Sequence, residues 1–112
     1  MSWQVRTTRR AERDILSIHR WILEVERRPA EARRWLDGAR QAIRSLGEHP
    51  ARCPLAPEAQ QHRVEVRQLL FHSHRMLFLV RAEQVLILHV RHASRRPATR
   101  AELGEPPRKR GP

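Results

Sequence analysis

Three stretches of the chain, VEVRQLLF (64–71), RMLFLVR (75–81) and QVLILHVRH (84–92), alternate apolar and polar residues at period two. Only HSH (72–74) and AE (82–83) separate them. Connections that short allow only neighbouring antiparallel strands, so the pattern predicts a three-stranded meander. A sheet this small buries little by itself and needs a second layer on its apolar face.

The first half of the chain supplies that layer. Between Arg9 and Arg27, Ile15, Ile18, Ile22 and Val25 recur at helical spacing, behind Thr8 as N-cap. Pro29 breaks this run and suits the first turn of a second helix. That helix carries Trp35, Ala39, Ala42 and Leu46 on one stripe and stops at Gly47. Two long helices with so short a break predict an antiparallel hairpin. SWQVRT (2–7) reads as an N-terminal strand with Trp3 and Val5 on one face. Residues 47–63, GEHPARCPLAPEAQQHR, are punctuated by Pro50, Pro54 and Pro57 and read as a loop with one helical turn near Glu58. The fold class is therefore α+β, in two layers: an N-terminal strand and a helical hairpin packed on a small antiparallel sheet. One domain fits 112 residues. Residues 97–112 read as a basic, Pro-rich, mostly disordered tail, with a short helix near 98–103.

A net charge of +11 points to an acidic partner, nucleic acid or protein. Nearly all of it is arginine, since Lys109 is the one lysine. No run is long and apolar enough to span a membrane, and the first ten residues show no apolar core of a secretory signal. The expected location is the cytoplasm. Cys53, the single cysteine, has no intrachain disulfide partner and reads as a small apolar residue.

Strict alternation places Leu86, Leu88, Val90 and His92 on one face of the last strand and Val85, Ile87, His89 and Arg91 on the other. Both faces begin apolar and end polar, so the strand is expected to leave the core at its C-terminal end. Antiparallel pairing brings His72, His74 and Arg75 to that same edge, with Arg67 further back. One rim would then gather His72, His74, Arg75, Arg91, His92, Arg95 and Arg96. Such a rim reads either as a solvated basic surface or as a phosphate or carboxylate site. Metal-free RNA cleavage would need a base for the 2′-hydroxyl, a cation for the developing charge and an acid for the leaving oxygen. Arginine supplies only charge, and histidine exchanges protons near neutral pH. Arg75 or Arg95 would be the clamp and His92, with His74, the proton carriers; Arg67, Arg91 and Arg96 would contact the target. His72, His74 and His92 lack a nearby carboxylate and lie among arginines, so no metal site and no cofactor are expected.

ERDILSIHRWI, ARRWLDGARQAIRSLGEHP, VRQLLF, HRMLFLV and VLILHVRHASR, in that order, resemble the RelE/ParE superfamily of type II toxin–antitoxin toxins over residues 3–96, which sets 1–96 as the toxin domain. The resemblance implies a small cytoplasmic toxin, neutralised by a cognate antitoxin that wraps it with a partly disordered, often acidic segment, the pair binding promoter DNA. RelE-like members cleave mRNA on the ribosome; ParE-like members inhibit DNA gyrase by binding. Arg75 matches a basic residue of both branches. The RelE-like branch commonly uses a tyrosine or lysines, but this chain has no tyrosine and its lysine lies in the tail. The ParE-like reading is therefore preferred, with a RelE-like endoribonuclease or a non-toxic basic nucleic-acid-binding module as alternatives. Trp3, Trp21 and Trp35 read as packing residues, His19 as a boundary residue, and Glu12, Asp14 and Glu24 as surface partners of nearby basic side chains.

Overall fold

The computed structural model describes residues 2–104. β1 (Gln4–Thr7) leads through Thr8 into α1 (Arg9–Arg20), which is extended by a π-helical turn over Trp21–Val25. α2 (Pro29–Ser45) follows, then a 3-10 turn (Pro50–Arg52), α3 (Pro57–His62), β2 (Arg67–Phe71), β3 (His74–Arg81), β4 (Gln84–His92) and α4 (Arg100–Leu103). The sheet order is β1-β4-β3-β2. The meander is antiparallel, as its short connections require; β1 adds to the open edge of β4 in parallel. Left-handed backbone at His72 (φ 52°) and Ala82 (φ 48°) closes the two hairpins.

α1 and α2 cover one face of the sheet. Ala11 and Ile15 of α1 and Trp35, Ala39 and Ile43 of α2 are buried there against Met76, Phe78, Val85, Ile87 and Val90. The π-helical turn changes the end of the first helix. Its wider turn shifts the helical phase, so Val25, expected on the core stripe, is 57% exposed, beside Trp21 at 56%. Gly47 does more than end α2. A Cβ there would sit 3.1 Å from the Trp3 carbonyl oxygen, and the Gly47 carbonyl accepts the Trp3 amide at 2.8 Å. The small residue lets β1 pass close to the end of the helix.

The other face of the sheet carries a second, smaller core of Ala56, Val66, Leu77, Leu79, Leu88, Ala98 and Leu103. Its cover comes from the proline-rich loop with α3 and from the segment after β4. The loop is tied down by backbone: Gln68 N–H donates to Pro54 at 3.0 Å, and Ala56 N–H to Val66 at 2.8 Å. The short helix expected near 98–103 is α4, and buried Ala98 and Leu103 carry packed structure past residue 96, the domain limit drawn from the sequence. The remainder of the expected tail, from residue 105, lies outside the described residues.

A bulge in β4 overturns the strict alternation read from its sequence. Leu77 pairs with His89 but Phe78 pairs with Ile87, leaving Leu88 unmatched. One extra residue reverses the parity of the strand. Val90 therefore joins Val85 and Ile87 in the helix-side core, while Leu86 and Leu88 pack on the opposite side.

Thr8 ties the first strand, the first helix and the bulge together. Its hydroxyl oxygen accepts from Ala11 N–H at 3.1 Å, and its O–H donates to the Leu88 carbonyl at 3.2 Å. Thr8→Ala is expected to lower stability by about 1–2 kcal/mol in urea denaturation, with Thr8→Ser retaining most of it.

Candidate functional site

The residues expected on one rim do converge at one end of the sheet. β3 and β4 bring His74 opposite His92 and Arg75 opposite Arg91. Adjacent residues of a strand point to opposite faces, so the rim divides. The histidines stand on the helix side and the arginines on the other.

The histidine side is a groove of about 400 Å³. Ile18, Trp21 and Ile22 form its helical wall, and Trp35, His74 and His92 its base, with His72 at the margin. The His74 ring meets Trp35 edge-on at 5.5 Å and His92 at 5.3 Å between centroids. Burial, then the neighbouring His92 and His72, push the His74 imidazole below its ordinary pKa. His92 Nδ1 accepts the Ser94 amide at 3.0 Å, which places its ring proton on Nε2. Trp35 Nε1 and His74 Nδ1 are buried at this groove without hydrogen-bond partners among the described residues. A second hollow of about 440 Å³ continues it past Glu26, Glu31 and Arg34.

The arginine side is built from ion pairs. The Arg75 guanidinium grips Glu58 in a two-pronged pair, 2.9 Å on each arm, with both side chains buried. Gln68 Oε1 accepts from the same guanidinium at 3.0 Å, and Glu58 Oε2 accepts the Ala98 amide at 2.7 Å. Burial alone would raise the Glu58 carboxyl. The Arg75 fork and the Ala98 amide outweigh it and hold the group below its ordinary value of 4.5. Arg91 is also buried. Its Nη1 donates to His89 Nε2 at 3.4 Å, while His89 Nδ1 donates to Asp14 at 2.5 Å. Asp14 additionally accepts the Val90 amide at 3.1 Å. Glu102 faces Arg91 at 3.4 Å, Arg95 at 3.3 Å and Arg96 at 2.9 Å. Thr99 amide hydrogen bonding, then Arg96, holds its carboxyl well below the usual carboxylate range.

Two residues make contacts that the sequence reading did not contain. Asp14 pairs with Arg10 at 3.4 Å, the basic neighbour expected of it, and its other oxygen also accepts from buried His89. Arg67, expected to contact a target, donates to the Cys53 carbonyl at 2.7 Å and anchors the proline-rich loop. Of the residues assigned to cleavage, Arg75 is enclosed by its carboxylate, His74 and His92 line the groove, and Arg95 stands exposed across the sheet from them. Arg91 is buried and Arg96 exposed beside it. Glu58 and Glu102 were invisible as partners because each lies in a turn or cap, where a carboxylate carries no periodic signal. Among the described residues, no group of three His, Cys, Asp or Glu side chains is placed to hold a metal ion, and no helix is long and apolar enough to cross a membrane.

Three comparisons bear on this arrangement. A family model described as the ParE toxin of type II toxin–antitoxin systems, parDE, matches residues 5–97. Among solved structures, a chain of the chromosomal ParDE toxin–antitoxin system from P. aeruginosa is similar with a TM-score of 0.62 at 16% identity, covering 81% of this chain and 96% of its own. A chain of a RelBE toxin–antitoxin complex from Mycobacterium tuberculosis is similar with a TM-score of 0.56 at 23% identity, over 82% and 99%. Both likenesses concern the fold. A search of curated proteins gives no match.

Removing Glu58 leaves a buried cation without a counter-charge, so Glu58→Ala is expected to cost about 3–5 kcal/mol in urea denaturation at pH 7. Glu58→Leu combined with Arg75→Met should recover most of that loss. Because the folded carboxyl lies below its ordinary 4.5, its contribution is present above pH 4.5 and declines as pH falls through the folded value. Wild type should lose stability over that range, and the Leu/Met double variant should lose less.

Proposed function

This chain belongs to the ParE toxin family of type II toxin–antitoxin systems, and from that premise we propose a toxin that acts in the cytoplasm by binding DNA gyrase, without cutting RNA. The observation carrying the choice is the division of the rim. Phosphodiester cleavage needs the proton carriers and the charge clamp around one phosphate. Here the His74–His92 pair and the arginines lie on opposite faces of the sheet, and Arg75 is enclosed by Glu58. Binding requires no such convergence.

The same family membership supplies the cognate antitoxin as partner. The groove between α1, α2 and the sheet suits an amphipathic segment, with Trp21 half exposed in its helical wall and, at its base, polar atoms of Trp35 and His74 that have no hydrogen-bond partner among the described residues. The +11 charge favours an acidic one. Promoter DNA would be engaged through that complex.

The test sets two readouts side by side. Purified toxin should block gyrase supercoiling in vitro, and primer extension after induced expression should find reporter mRNA intact. His74→Ala with His92→Ala should still arrest growth. Codon-phased mRNA cuts that vanish in that double variant would instead establish the RelE-like nuclease, for which the paired histidines are the best argument. Trp21→Ala should weaken antitoxin capture about tenfold or more in a titration, as loss of an aromatic anchor does.

A further inference from the structure

Glu102 is surrounded by more positive charge than one carboxylate neutralises. Arg91, Arg95 and Arg96 all lie within 3.4 Å of it. Arg75, opposite Arg91 in the ladder, is matched by its own Glu58. In these ion pairs four guanidiniums meet two carboxylates, a surplus of two positive charges (four minus two). Arg91 is the most deeply placed, with a side-chain exposure of 0%. Its Nε and Nη2 are buried without a hydrogen-bond partner among the described residues. Unmet donors on a buried cation are costly, and they mark a place where further anionic oxygens would be held.

The segment bearing Glu102 is pinned at Ala98, which is buried and hydrogen-bonded to Glu58 and His62, and is fixed more lightly beyond that residue. α4 has four residues, and a reciprocal cap between Thr99 and Glu102 shapes it. Leu103 is its one buried apolar anchor. Arg95 and Arg96 remain more than half exposed on the solvent side.

We propose that the C-terminal end of β4 is a cradle for a backbone phosphate of nucleic acid, and that the chain closes this cradle itself by placing Glu102 where the phosphate would lie. Planar guanidinium forks suit a tetrahedral oxyanion held by several donors. The uncompensated charge suits a phosphodiester flanked by further phosphates better than a lone carboxylate, and the chain's +11 charge would draw a polyanion to it. Undocking of Leu103 and release of Glu102 would open the site. Its biological setting rests on the toxin reading, because a gyrase–DNA complex and a ribosome both present such phosphates; the binding itself does not.

The test uses the full chain without gyrase, antitoxin or ribosome, so it can fail or succeed independently of toxicity. Fluorescence anisotropy would follow a labelled DNA duplex and a single-stranded RNA of the same sequence across a salt series. Glu102→Gln removes the charge yet keeps a residue able to complete the cap with Thr99. It should tighten binding by about tenfold and steepen the duplex salt dependence by about one phosphate contact. Adding Arg95→Ala and Arg96→Ala should erase the gain. Leu103→Ala, which loosens α4 at constant charge, should move affinity in the same direction. Glu83→Gln, in the turn at the opposite end of β4, deletes an equal charge and should stay within about twofold. A gain on duplex alone or on RNA alone identifies the source of the phosphate. The proposal is overturned if Glu102→Gln, folded by circular dichroism, binds neither probe more tightly than Glu83→Gln. It is equally overturned if the gain appears for a poly-glutamate peptide and for neither nucleic acid, since the site would then serve an acidic protein.

Discussion

The ion pair between Arg75 and Glu58 is the constraint on which one whole side of the molecule is built. Arg75 and Arg91 are cross-strand neighbours of like charge, an arrangement that opposes pairing unless each charge is answered nearby. Glu58 answers one and Glu102 the other. Both carboxylates come from outside the sheet, so the loop before β2 and the segment after β4 must fold onto it. Glu58 then holds the second segment directly, through the Ala98 amide. One carboxylate thus joins a strand, a loop and the C-terminal segment, and the small second core closes around that junction.

This explains the proline-rich loop, whose sequence alone suggested no purpose. Pro54 and Ala56 continue the sheet edge by backbone hydrogen bonds, and Pro57 starts a helix whose next residue is Glu58. Arg67 fixes the loop from below through the Cys53 carbonyl. Three prolines restrict the backbone of a segment that must deliver one side chain to one place.

Much of the fold was legible because it follows from periodicity. The change from helical to alternating spacing separates hairpin from meander, and Thr8, Pro29 and Gly47 mark boundaries near where the elements begin and end. What was not legible depends on departures from periodicity or on long-range polar contacts. Leu88 carries no sign of being a bulge, yet it decides that Val90 and not His89 enters the core. The π-helical turn at Trp21–Val25 likewise moves Val25 to the surface. Asp14 looks like any acidic residue on a helix; only the end of β1 leaves the Val90 amide free to receive it. For the candidate site, antiparallel pairing read from the sequence brought His74, Arg75, Arg91 and His92 to the end of the sheet where the structure has them. Alternation, applied to Arg75 beside His74, already contained the division between two faces that a single rim obscured.

The bulge at Leu88 also makes β4 uneven along its length. Before it, residues 84–87 are held on both sides, by β1 and by β3. Beyond it, β1 has ended, and the outer edge is guarded at the Val90 amide by the Asp14 carboxylate. A strand flanked by backbone ladders opens only with the sheet, whereas one guarded by a side chain opens locally. Amide hydrogen exchange should therefore divide within this single strand, slow up to Ile87 and faster from His89. The residues that β4 gives to the candidate site, Arg91 and His92, lie on the half expected to open, attached to a half held on both sides.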